Sequence, residues 1–492
     1  MSEALWEIPD SWAWTNLEVV ADWSSGGTPR STEPKFYGGT IPWLTIGDLT
    51  EGVVRDSAKS ITNLGLENSS AKIVKPGALL IAMYGSIGKL GIAGIECSTN
   101  QAIAFTEQVR AEVETKYLFY YLLRARANLN ETGKGGTQQN ISQTVLKAFP
   151  ICLPSLSEQR RIVAKLETLL SRVDAAQARL ATIPRILKRF RESVLAAACS
   201  GKLTADWRVE KPAEESAFTL LERIRKQRRT LRRFGDAEAD SETNGLPVSW
   251  LVVEIEELTS IQNGRAFPSK QYGQSGVRLL RPGNLHINGQ VEWSEKNTAC
   301  LPKQWSKDYP EFLLGTGELL MNLTAQSLKD EFLGRVCIKT DGVPALLNQR
   351  IARFVSHGTD DLRPYLFVYF KSPRFRSYVN TLHTGSLIRH MHSKQVLSHV
   401  APLPPLAEQQ EIVRRVEALF KIADALDERY RKAKAHVDKL TQSILAKAFR
   451  GELVPQDPND EPASVLLERI KQKRMPSKSQ PTKRRAFSGK PL

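Results

Sequence analysis

Two stretches of the chain place apolar residues at spacings of three and four. In the first these are Ile162, Leu166, Leu169, Val173, Ala176, Leu180, Ile183, Leu187, Phe190 and Val194. In the second they are Ile412, Val416, Leu419, Ala423, Leu426, Tyr430, Ala433, Val437, Leu440 and Ile444. That period predicts two amphipathic helices. Ser155 and Glu158 have the spacing of a capping box at the first start, and a proline precedes each segment. Gly201 and Gly451 stand where a C-terminal stop is expected, and Pro184 predicts a kink inside the first helix. About 40 helical residues span roughly 60 Å, and neither stripe can be buried by its own helix. Mutual packing as an antiparallel coiled coil is the simplest solution; two separate helices, each on its own domain or in a dimer contact, are the alternative.

The segments ahead of these helices read differently. Runs such as IPWLTIGDL, KIVKPGALLIAMYGSIG and GVRLLRPGNLHINGQVEW alternate short apolar stretches with Gly, Pro and Asn. They predict short strands joined by turns, with helical patches near Tyr117–Arg126 and Tyr365–Phe370. Each segment is therefore expected to be a mixed α/β head, giving an α+β chain. The boundaries read as a head over 1–154, a helix over 155–200 and a connector over 201–245. A second head over 246–403, a helix over 404–450 and a basic tail over 451–492 follow.

The two halves are repeats. LPSLSEQRRIVAKLETLLSRVDAA from Leu153 returns as LPPLAEQQEIVRRVEALFKIADAL from Leu403, 250 positions on. SVLAAACSGKL from Ser193 returns as SILAKAFRGEL from Ser443, and LLERIRKQRR from Leu220 resembles LLERIKQKR from Leu466. The heads keep only scattered matches: IPDSW with LPVSW, NQAIAF with NQRIARF, and Tyr117-Leu118-Phe119 with Tyr365-Leu366-Phe367. A shared framework thus carries two diverged heads, a pseudo-two-fold design.

A formal charge of +16 over 492 residues favours a polyanionic partner. Part of that excess lies in the run from Lys471 to Lys490 and in Arg223–Arg233, where solvated charge on a surface is the plain alternative. No window of 18 apolar residues is present, and MSEALWEIPD lacks the pattern of a signal peptide, so a cytoplasmic protein without a membrane span is expected. Cys97, Cys152, Cys199, Cys300 and Cys337 are scattered, which fits free thiols rather than a disulfide framework or zinc site.

The L-P-x-L-x-E-Q motif in two copies and the RFRESVLAAACSGKLTADWR and LTQSILAKAFRGEL segments resemble the specificity subunits of type I restriction–modification systems, over nearly the whole chain. The resemblance implies two target-recognition domains, each reading one half of a bipartite site on double-stranded DNA. The helices would set the gap and dock two methyltransferase subunits, and two motor–nuclease subunits would join for restriction. S-adenosylmethionine, ATP and magnesium would belong to those partners, with no cofactor in this chain. After Gly451, GELVPQDPND stands in place of GKLTADWRVE, so the C-terminal end is expected to make its contacts differently. A spacer of roughly 60 Å could separate two major-groove readers by about one to two turns of DNA.

Base edges are read by Arg, Lys, Asn and Gln, and phosphates are held by backbone amides, hydroxyls and cations. In the first head this points to Gly27, Thr28 and Arg30, to Tyr84, Ser86 and Lys89, and to Lys134, Thr137, Gln138, Gln139 and Asn140. In the second it points to Asn263 and Arg265, Arg281 and Asn284, and Thr384, Ser386 and Arg389. Ordinary surface turns are the alternative for each loop.

Catalytic signatures are missing. There is no Asn/Asp-Pro-Pro-aromatic motif of an adenine methyltransferase, no G-x-x-x-x-G-K-[ST] loop, and no ligand beside His390 and His392 at metal spacing. The chain is expected to be non-enzymatic by itself. The rival readings are a self-contained methyltransferase–nuclease, or a basic scaffold for RNA or protein.

Overall fold

The computed structural model of the chain describes residues 6–132, 140–211, 215–229, 245–325, 331–357, 361–382 and 389–474. The chain falls into two compact units, Met1–Ala181 with Lys432–Leu492, and Thr182–Arg431. The two long helices, Leu156–Cys199 and Leu406–Ala448, each contribute one end to each unit. The first helix is continuous through Pro184, the proline expected inside it.

The first head contains a five-stranded sheet in the order Ala21–Ser25, Ile103–Val109, Leu79–Ala82, Leu90–Ala93 and Val53–Val54. A four-stranded sheet of Ser60–Ile61, Tyr37–Leu44, Cys97–Thr99 and Ile73–Val74 accompanies it. The second head repeats the plan. Its four-stranded sheet runs Thr259–Asn263, Ile351–Ser356, Leu319–Asn322 and Val336–Ile338. A second sheet of Cys300–Leu301, Val277–Leu280, Ala345–Leu347 and Leu313–Leu314 sits in the same head. Apolar runs such as Leu79–Ala82 are buried at every position, as a strand covered on both faces requires.

Each head is closed by its own two ends. Ala13–Asn16 pairs antiparallel with Pro150–Leu153, and Leu251–Glu254 pairs with Val400–Leu403 in the same register. The recurring tyrosines tie that closure to the core of each head. Tyr117 donates to the Cys152 carbonyl (2.8 Å) and Tyr121 to that of Pro150 (2.7 Å). In the second head Tyr365 donates to the Pro402 carbonyl (2.7 Å) and Tyr369 to that of Val400 (2.8 Å). A buried ring therefore fills the core while its hydroxyl fixes the returning strand.

The L-P-x-L-x-E-Q motif joins each head to the helix that leaves it. Gln159 donates to the Pro154 carbonyl (3.1 Å) and Gln409 to that of Pro404 (2.8 Å). The Glu158 carboxylate accepts the indole N–H of Trp12 (3.0 Å), and Glu408 accepts that of Trp250 (2.8 Å). Only half of the expected capping box forms: Ser155 Oγ accepts the Glu158 amide (3.0 Å), while the Glu158 side chain turns to the tryptophan. Burial pushes the Glu158 carboxyl above its ordinary range, against hydrogen bonds from Gln456 and Trp12.

The arriving helix docks on the same junction. Gly451, with φ at +76°, lies against Pro9, and a Cβ there would come within 2.3 Å of the proline ring. Gly201, with φ at +75°, does the same against Pro247, at 2.4 Å. Only glycine meets both demands, the left-handed turn and the close approach. In the first unit, Ile162, Val163, Leu166, Leu445, Ala448 and Phe449 share one core; in the second, Val194, Leu195, Ala198, Ile412 and Val416 do, with Arg191 bridging to Asp424 (2.7 Å). The helices thus pack against each other antiparallel at both ends, start against finish.

The two junctions differ where the motif after the glycine diverges. In the second unit Thr204 donates to Glu408 (2.6 Å), Arg208 pairs with the same carboxylate, and Arg415 bridges to Asp206 (2.6 Å). In the first, Gln456 donates to Glu158 (2.5 Å) and Arg161 bridges to Asp460 (2.6 Å). Removing Glu408 would leave a buried indole, a hydroxyl and a guanidinium without their acceptor. The Glu408→Ala chain is expected to lose about 3 to 5 kcal/mol of stability, seen as a lowered midpoint in urea unfolding. A loss under about 1 kcal/mol would show that the clamp is ornamental.

Two segments are more ordered than connector and tail imply. Ala205–Glu210 and Ala217–Arg229 are helical, and Leu220, Leu221 and Ile224 enter the second head's core. Ala463–Arg474 is also a helix, with Leu466, Leu467 and Ile470 in the first head's core. Their shared LLER sequence repeats because both bury the same leucine pair. All five cysteines are buried and unpaired, and burial raises Cys97 to about 11 and Cys152 to about 12. Among the described residues no helix is long and apolar enough to cross a membrane.

Candidate nucleic-acid interface

In the first head the loops at Gly27 and Tyr84 converge on one edge, where Asn140, the described end of the third loop, meets them. Gly26 donates to the Ile103 carbonyl (3.1 Å) and Gly27 to that of Thr99 (3.0 Å), which lays the loop beyond Ser25 along the Asn100–Gln101 turn. Met83 donates to the Ala102 carbonyl (2.8 Å) on the other side of that turn. Ile141 then donates to the Met83 carbonyl (3.0 Å), and Tyr84 bridges to Asn140. The turn itself is fixed by Asn100, whose amide donates to the Leu44 carbonyl (3.0 Å) and whose Oδ1 accepts the Ala102 amide (3.2 Å).

The second head builds the same cradle from different residues. Gly264 donates to the Ile351 carbonyl (3.1 Å) and Arg265 to that of Leu347 (3.0 Å). Asn348 donates to the Leu280 carbonyl (3.2 Å), Leu323 to that of Arg350 (3.0 Å) and Met391 to that of Leu323 (2.9 Å). Thr324–Ala325 pairs with Arg389–His390 where the first head has Tyr84 and Asn140. The turn at Thr45–Asp48 likewise matches that at Arg281–Asn284. Asp48 Oδ2 accepts the Thr45 amide (2.7 Å), and Asn284 Oδ1 accepts the Arg281 amide (2.9 Å).

The favoured residues do not all face outward. Thr28, Arg30, Tyr84, Ser86, Asn140, Asn263 and Arg265 are exposed. Thr28 is hydrogen-bonded to Gln101, and Asn263 accepts from Ser393 (2.6 Å). Gly27 is buried, and its role is clearance: a Cβ would lie 2.3 Å from the Ala71 amide nitrogen. Lys89 is half-buried and donates to the Ile46 carbonyl (3.0 Å). Arg281 donates to the Asn297 carbonyl (2.8 Å), and Arg389 is half-buried in its strand. Asn284 is fully buried, its amide donating to the Glu292 carbonyl (3.2 Å), so its side chain shapes the turn. Lys134, Thr137, Gln138, Gln139, Thr384 and Ser386 lie outside the described residues.

Sequence reasoning missed Gln101 and Gln349, both exposed at the head of the cradle turn. The signal was present: Asn-Gln is one of the few pairs the two heads share. The pair reads as framework in the sequence; the asparagine is the framework, and the glutamine is presented beside it.

The profile of the type I restriction modification DNA specificity domain matches residues 9–185 and again 247–434, the two repeats. The specificity subunit of the type I restriction enzyme EcoKI from Escherichia coli strain K12 is 30% identical, over 96% of this chain and 97% of its own length. That of EcoBI from Escherichia coli is 28% identical, over 98% and 96%. Among solved structures, a chain from work on complex assembly and conformational transition of the type I R-M system superposes with a TM-score of 0.64 at 18% identity, covering 91% of this chain and all of that one. The HsdS subunit from Thermoanaerobacter tengcongensis does so with a TM-score of 0.54 at 19% identity, covering 92% and 100%.

The chain belongs to the family of type I restriction–modification specificity subunits. Its part there is DNA specificity, and it is not a catalyst of its own.

Proposed function

We propose that the chain directs a type I complex to a bipartite, asymmetric site on double-stranded DNA. The first head reads one half and the second head the other, through the cradle edge described above. The paired helices set the gap between the halves and carry two methyltransferase subunits, and two motor–nuclease subunits join for restriction. S-adenosylmethionine, ATP and magnesium act in those partners. The observation that carries this reading is the pair of equivalent backbone cradles presenting unlike side chains: a common frame positions the reader, and the side chains choose the sequence. The charge of +16 supplies the sequence-independent attraction to phosphate.

The test is a map of methylated adenines in cells that express this chain with its methyltransferase partner. The expected result is a split motif of two unlike half-sites separated by a fixed gap. Methylation at one continuous motif, or at sites with a varying gap, would overturn the reading.

A further inference from the structure

The cradle is closed in one head and armed in the other. At the first head's position, Gly27 is roofed by the backbone of Ser70 and Ala71, with no room for a side chain. The equivalent position in the second head is Arg265, whose amide donates to the Leu347 carbonyl as that of Gly27 does to the Thr99 carbonyl. Its side chain is exposed and lies over the ring of Tyr309, 4.0 Å from guanidinium carbon to centroid. Arg265 Nη2 also donates to Tyr309 Oη (3.0 Å). Tyr309 is itself stacked on Trp305 at 5.3 Å, and Phe267 packs edge-on against both.

The guanidinium is therefore oriented before any ligand arrives. Its backbone is pinned on both sides, since the Arg265 carbonyl accepts the amide of Gln349 (2.9 Å). Among the described residues it has no carboxylate partner and one side-chain hydrogen bond, and the residue is exposed, so its other donors are open to a ligand. An arginine that serves only as a diffuse counter-charge needs none of this. An arginine that must present two parallel N–H groups to one edge does, because a flat, stacked fork loses little freedom on binding. On the base edges of duplex DNA the acceptor pair that matches such a fork is O6 and N7 of guanine in the major groove; two oxygens of one phosphate match it as well but carry no sequence.

We propose that Arg265 is a specificity-determining residue of the second half-site and selects a guanine there, with Tyr309 as its positioning residue. This rests on the reading of the two heads as half-site readers.

The experiment uses the full complex with its methyltransferase partner. Methylation sites and duplex affinities are compared for the unaltered chain, Arg265→Ala, Arg265→Lys and Tyr309→Phe. The expected result for both arginine variants is relaxation at one G·C position of the second half-site, with discrimination there falling roughly tenfold or more. The first half-site and the gap stay unchanged. Tyr309→Phe keeps the stack and loses the hydroxyl, and relaxes the same position less. If affinity falls equally for every sequence in both arginine variants, or the motif stays intact, Arg265 holds phosphate or nothing and the inference fails while the half-site reading survives. If the unaltered complex yields no split motif, the half-site reading itself has failed.

Discussion

A chain in which residues 9–153 are placed over 247–403, so that the first head occurs twice, is expected to recognise an inverted repeat of its first half-site with the original gap. The junctions make this exchange physically reasonable. Trp12 and Trp250 meet equivalent glutamates at 3.0 and 2.8 Å, and the closing strands pair in the same register. Pro9 and Pro247 receive equivalent glycines. The leucine pairs of Leu220–Leu221 and Leu466–Leu467 brace the two heads from helices of matching sequence. The transplanted head therefore meets the partners it leaves behind. Mapping methylated adenines checks the outcome: the second half-site should vanish from every methylated site, an all-or-none change in specificity. Persistence of that sequence would mean that residues outside the head read it.

Much of the framework was legible because its signals are periodic or repeated. The three-and-four spacing marks both long helices to within a few residues, and Gly201 and Gly451 mark their ends. The antiparallel pairing was the simplest cover for the two stripes, with separate helices on their own domains or in a dimer contact as the alternative. The heads were legible only as mixed α/β globules, since their short strands are paired through contacts distant in sequence, such as Trp43 with Ser98. The helices within the connector and tail were not legible because charge hides their apolar side: in Ala217–Arg229 the basic face dominates the composition, while Leu220, Leu221 and Ile224 do the packing.

At the candidate interface, turns were more legible in the sequence than the direction of single side chains. Glycine punctuation picks out the turns at Gly26–Gly27 and Gly264, which lie along the turns at Asn100 and Asn348. Whether Asn284 points into its own loop or out of it depends on backbone geometry that one sequence does not carry. The same holds for Gly27, whose importance is the space it leaves, and for Tyr309, which lies far from Arg265 in the chain and orients it.

The segment 201–208 is an unsuitable place to lengthen the spacer, because Gly201, Thr204 and Arg208 are built into the Glu408 junction. The insertion belongs in the helices themselves, after Ala181 and after Arg431, four residues in each. One added turn lengthens each helix by about 6 Å, and a base pair occupies about 3.4 Å along duplex DNA. Methylated adenines mapped for this lengthened chain should show both half-sites unchanged and a gap wider by about one to two base pairs. An unchanged gap, or altered half-sites at the original gap, would contradict the claim that the paired helices hold the two readers at a set distance.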